Sequence, residues 1–89
     1  MTWEQRLEAL SNLTPTHLEM RRPGNWYVEA HDRWMPDGKG LLVGAYGNGR
    51  TPEEAVLDDW KLIASGETIA INNGAKRVRW NGFMWEDAK

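Results

Sequence analysis

The sequence predicts an α+β domain, an antiparallel sheet with its helices packed on one face, in the order α-β-β-β-α-β-β. Three observations predict it. The stretch from Thr51 to Gly66 carries a helix start, an apolar stripe and a stop. Three segments before it alternate apolar and polar residues with the period of a strand. The C-terminal Val78-Arg79-Trp80-Asn81-Gly82-Phe83-Met84-Trp85 places Asn-Gly between two alternating runs, a strong short-range hairpin signal.

The helix over 52–64 is the clearest element. Thr51 can cap its first turn, and Glu54 can reach back to the Thr51 amide to complete a capping box. Pro52 suits the first helical position, and Glu53 and Glu54 complement the positive end of the helix dipole. Val56, Trp60 and Ile63 recur at i, i+4 and i+7, flanked by Leu57 and Ala64, and Gly66 offers a left-handed stop. Thr2-Trp3-Glu4-Gln5 repeats the capping logic. With Trp3, Leu7 and Leu10 it predicts a first helix over 3–11, weakened at Ser11-Asn12 and barred by Pro15.

Between the helices, 16–22 and 26–31 read as strands joined at the Pro23-Gly24-Asn25 turn. In the second, Trp26, Val28 and Ala30 share one face, with Tyr27, Glu29 and His31 toward solvent. A loop over 32–40 follows, with Trp34-Met35 beside a Pro-Asp-Gly turn. A third strand over 41–46 carries Gly44, which hints at a bulge or a close approach. Residues 67–76 are ambiguous, with a short edge strand at 68–71 one option. In the last hairpin a two-residue loop would pair Trp80 with Phe83 and Val78 with Trp85. That register puts Val78, Trp80, Phe83 and Trp85 on one aromatic surface.

Composition narrows function by exclusion. The 89 residues are read as one domain, 1–89, with no cysteine for a disulfide or thiolate zinc site. A net charge of −2 argues against a general nucleic-acid or membrane-surface binder. Apolar runs are too short to span a bilayer, and the N-terminus lacks the apolar core of a secretory signal, so the expected location is cytoplasmic. Six tryptophans against one phenylalanine suit a small domain needing apolar area, with one or two rings left for binding.

No constellation points to catalysis, a metal or a cofactor. His17 and His31 lack ligand spacing, and Gly47-Asn48-Gly49 completes neither a Walker loop nor a dinucleotide fingerprint. Asp58 and Asp59 lie past the first turn of their helix, where the dipole does not explain them, and a basic partner surface would. Trp34 and Met35 are large apolar residues in a loop and read as partner anchors. An alternative is a nucleotide ligand stacked on Trp34 and held by Arg77 and Arg79, for instance within a homo-oligomer. Nucleic-acid binding through the last hairpin is a further alternative, opposed by the alternation that sends Arg79 and Trp80 to opposite faces.

The Gly-x-Gly-x-Thr-Pro-Glu-Glu-Ala joint within residues 26 to 64 resembles that of HicB-type antitoxin domains. The chain lacks that family's helix-turn-helix or ribbon-helix-helix, so the resemblance implies the strand-to-helix joint and not antitoxin activity. Taken with Val-Arg-Trp-Asn-Gly-Phe-Met-Trp-Glu-Asp, the Thr-Pro-Glu-Glu-Ala-Val helix is similar to small accessory proteins of tailed bacteriophages and prophages. That resemblance implies a non-enzymatic protein in a bacterial host, binding a host protein, an inhibitor of antiviral defence being one such role.

Overall fold

A computed structural model describes residues 1–34, 42–72 and 74–88, with 33, 34, 42 and 43 described by their backbone alone. These residues form α1 (Trp3–Leu13), β1 (His17–Arg22), β2 (Asn25–Trp34), β3 (Leu42–Gly49), α2 (Pro52–Ala64), β4 (Ile69–Ile71), β5 (Lys76–Trp80) and β6 (Trp85–Asp87). The fold is α+β, with one strand more than the five the sequence predicts. Every strand pairing is antiparallel.

The long strand β2 is the spine of the sheet. β3 follows one of its edges from Trp26↔Gly49 to Trp34↔Leu42. β1 pairs with β2 as far as Glu29, and β4 pairs with it at Asp32 and Arg33, so those two strands share the other edge. The sheet then continues through β5 to β6. β4 is thus an interior strand and not an edge, and all three of its residues are buried. Its apolar run without alternation is what a strand covered on both faces requires. β2 also runs further than expected, placing the backbone of Trp34 in a strand and not in a loop.

Both helices start as their capping residues dictate. Thr2 and Gln5 complete a reciprocal capping box on α1, which runs through Ser11-Asn12 and stops at Thr14. Thr51 caps α2 through the Glu54 amide, but the Glu54 carboxylate reaches one residue further than a capping box, to the Arg50 amide at 3.1 Å. α2 settles on β3 at backbone distance. A Cβ on Gly47 would collide with the Ala55 carbonyl and lie 2.7 Å from the Asp59 amide. One on Gly49 would run into Glu54 and Ala55. These glycines permit contact between helix and strand.

The core gathers Leu10, Trp60, Ile63, Ile69 and Val78, with Trp80 and Trp85 packed against it. Trp60, Trp80 and Trp85 meet edge to face, with centroids 5.1 to 6.0 Å apart. Such contacts add about 0.5–1.5 kcal/mol per pair beyond the burial itself. The Trp85 indole N–H donates to the Ala9 carbonyl at 3.0 Å, tying α1 to the last strand.

The last hairpin departs from its expected register. Trp80 pairs with Trp85, Arg79 with Glu86 and Val78 with Asp87, leaving 81–84 as a four-residue loop. The slip of two residues preserves the faces of Val78, Trp80 and Trp85 but removes Phe83 from the aromatic surface, where it is 89% exposed. Asn81 is the cause. Its side-chain oxygen accepts from the Phe83 and Met84 amides, and its own amide donates to the Met84 carbonyl. That arrangement replaces the tight Asn-Gly turn.

The packing makes three stability predictions. Trp60→Ala should lose about 3–5 kcal/mol in a urea titration, enough to leave much of the chain unfolded, because the ring is central to the core. Gly47→Ala should cost about 1–3 kcal/mol, since α2 must lift off β3. Gly44→Ala should be neutral or slightly stabilising, as a Cβ there meets nothing within 4 Å.

Candidate functional site

The outer face of the sheet, away from the helices, carries a groove of about 500 Å³ where β1 ends and β4 has yet to begin along β2. A bulge shapes it. Glu29 faces Tyr46 and His31 faces Ala45, so Ala30 is an extra residue on β2. The parity of the strand reverses there. Tyr27 and Glu29 point outward before the bulge and Asp32 points outward after it, while His31 turns inward. His17, Tyr27, Glu29, Asp32, Gly44 and Tyr46 border the groove. The Tyr27 and Tyr46 rings lie 5.7 Å apart, and the Tyr27 hydroxyl donates to the Glu29 carboxylate at 2.7 Å. That bond, with burial and the negative charge of Glu29 adding to it, holds the Tyr27 phenol above its ordinary pKa and keeps it neutral.

Beneath the groove, the inward turn of His31 overturns the expectation that it faces solvent. Its side chain is fully buried, and Nε2 sits 3.1 and 3.2 Å from the two oxygens of Asp59, also fully buried. Nδ1 lies 3.3 Å from the Asp32 carbonyl. Both ring nitrogens therefore face acceptors, which suits an imidazolium donating from each. Burial works against that charge, but the hydrogen bond and charge of Asp59, aided by the Asp32 carbonyl, outweigh it and raise the pKa above its ordinary 6.5. With its ring enclosed, His31 is a clamp between β2 and α2 and not a base open to substrate.

Comparison of the chain with protein-family models, curated proteins and solved structures gave no match. Its site must therefore be read from its own geometry.

The residues singled out in the sequence scatter. Asp59 belongs to the buried clamp and is 0% exposed, so it offers no charge to a partner. Asp58 is exposed, yet it accepts from the Asn48 amide at 3.0 Å and sits 3.6 Å from Lys61, so it anchors α2 to the end of β3. Met35 lies outside the described residues, as does the side chain of Trp34. Arg77 and Arg79 are exposed on β5, and Arg79 is bound to Glu86 at 2.7 Å. Among the described residues no group of acids and histidines could hold a metal ion, and no helix is long and apolar enough to cross a membrane.

Two features escaped the sequence reading. One is the groove, whose Tyr27–Glu29–Asp32 alignment depends on a bulge that no turn residue announces. The other is the hairpin tip, where Phe83 and Met84 stand 89% and 62% exposed. Asn81 Nδ2 also donates to Glu86 at 3.2 Å, so the Arg79–Glu86–Asn81 chain braces the loop. The bonds from Arg79 and then Asn81 hold the Glu86 carboxyl below its ordinary value.

The clamp sets a pH dependence. Because the folded pKa of His31 is raised, its stabilisation is fully present below the unfolded value of 6.5 and is lost as pH rises through the folded value. Urea midpoints should therefore fall between about pH 6 and pH 8.5. Asp59→Asn should flatten that slope, while Asp59→Ala should cost about 3–5 kcal/mol near pH 6 by leaving a buried charge unpaired. An unchanged slope in Asp59→Asn would assign the dependence to another group.

Proposed function

We propose that this chain is a non-enzymatic binding protein that engages a host protein through the tip of its last hairpin. The resemblance to phage accessory proteins supports a bacterial host as the setting, with components of antiviral defence the first class to screen. The observation that carries the reading is the exposed Phe83-Met84 pair on a braced loop. Burying a ring of this kind is worth about 1.5–3 kcal/mol, and the fold leaves that unrealised. Asn81 and Glu86 hold the loop in place beforehand, so a partner loses little entropy in ordering it. Aromatic anchors of this kind dominate protein interfaces. The nucleotide reading through Trp34, Arg77 and Arg79 has less support, because Arg79 already braces this loop against Glu86.

Affinity capture from bacterial lysate, run in parallel with the parent and with Phe83→Ser, tests the proposal. The parent should retain a stoichiometric protein that the variant loses. With that protein purified, the variant's Kd should be weaker by roughly thirtyfold or more. Stability should stay within about 0.5 kcal/mol of the parent, since Phe83 packs outside the core. An identical capture profile from both proteins would rule the tip out as the binding element.

A further inference from the structure

Gly44 has no explanation in the fold. Glycine inside a strand costs stability, and here neither backbone nor packing asks for it. Its φ is not positive, and a Cβ at the position would meet nothing within 4 Å. What its bareness does is open the groove, since Gly44 faces Asp32 across the β2–β3 ladder and borders the same space as Tyr46. On the far side of Asp32 the strand partner is Ala70, another small residue. The floor is kept low along this line while the walls are aromatic and acidic.

The walls are weighted to one sign: of the two histidines that line them, His17 sits 3.2 Å from the Glu19 carboxylate and His31 is paired with Asp59. Glu29 and Asp32 contribute carboxylates, Tyr46, 56% exposed, contributes a ring face, and among the described lining residues there is no lysine or arginine. Carboxylates beside electron-rich rings attract a cation twice over, by charge and by the ring quadrupole. The molecule itself shows what suits such a ring: the Arg21 guanidinium lies 3.7 Å from the centre of Tyr27, which leaves the neighbouring Tyr46 ring for an incoming cation. Arg21 is in turn bound to Glu19 at 3.2 Å, which offsets its charge toward the groove. A planar guanidinium fits this setting better than a compact ammonium, because it can stack on a ring and pair with a carboxylate at once.

We infer that this groove receives an arginine side chain of the partner polypeptide. The inference names the chemistry of the partner proposed above and rests on that reading. The groove is separate from the Phe83 tip, so the two can be tested apart.

The test is an NMR titration of the ¹⁵N-labelled full chain with acetyl-Gly-Arg-Gly-amide and with its citrulline counterpart, a neutral near-isostere. The arginine peptide should shift the amides of Asp32, Gly44 and Tyr46, and the citrulline peptide should bind on the order of tenfold more weakly. Affinity for the arginine peptide should drop as salt is raised. Gly44→Leu should fill the floor and abolish the shifts while keeping a folded spectrum. Should that variant not fold, Glu29→Gln/Asp32→Asn carries the same test, each lost carboxylate weakening binding about three- to fivefold. Three results would each overturn the inference: no shift at about 10 mM peptide, ten times a millimolar Kd; equal binding of the citrulline peptide; or binding untouched by the groove variants. Peptide shifts together with unaltered capture by Phe83→Ser would remove the tip and leave the groove. Lost capture with no peptide shift would do the reverse.

Discussion

Helix α2 can lie where it does because β3 presents two glycines to it. With no Cβ at Gly47 or Gly49, the helix backbone comes within contact of the strand backbone, and everything on the helix is placed by that distance. Asp59 reaches under β2 to His31, and Trp60 enters the tryptophan cluster. Asp58 and Glu54 come close enough to accept from the amides of Asn48 and Arg50 at the end of the strand. The acids of α2 that looked like a partner surface are largely bound to the protein's own sheet. A residue at either glycine large enough to lift the helix would disturb the clamp, the cluster and these anchors together.

The bulge at Ala30 has consequences on both faces of the sheet. On the inner face it swings His31 beneath the helix, where a buried ion pair replaces what regular alternation would have made an apolar contact. Pairs of this kind are weak evidence for net stability, because desolvation offsets most of the attraction, but removing one partner is expensive. Their value is in register: only one alignment of β2 against α2 satisfies both charges. On the outer face the same irregularity brings Asp32 into line with Glu29 and Tyr27. A single inserted residue thus locks the core and shapes the groove above it.

Much of this was legible in the sequence, and what was not has physical causes. The two helices were readable because Thr2, Gln5, Thr51 and Pro52 act within one turn of themselves. The burial of Val56, Trp60 and Ile63 followed from spacing alone, as did the shared face of Val78, Trp80 and Trp85. The bulge was not readable, since Ala30 carries no glycine or turn signature and a displaced strand looks like an ordinary one. The side of His31 was therefore misassigned, and with it the burial of Asp59. β4 was ambiguous because Ile69-Ala70-Ile71 lacks alternation, and only its neighbours β2 and β5 explain why. Asn81-Gly82 misled in another way: its residues do make the turn, but the asparagine side chain organises four residues and not two.

The longer loop has its own cause in the core. Trp85 must stand opposite Trp80 for the three indoles to meet and for its N–H to reach the Ala9 carbonyl. A two-residue turn would move Phe83 into that place and carry Trp85 two residues further along the strand, opposite Val78, losing both the ring contacts and the bond to α1. Packing therefore decides that residue 83 stands outside, but it does not decide what residue 83 is. Any polar side chain would serve the loop, whose hydrogen bonds at this position involve the backbone amide. A phenylalanine there is not demanded by the fold, just as the bareness of Gly44 is not, and these two unforced choices are what support the roles proposed for the tip and the groove.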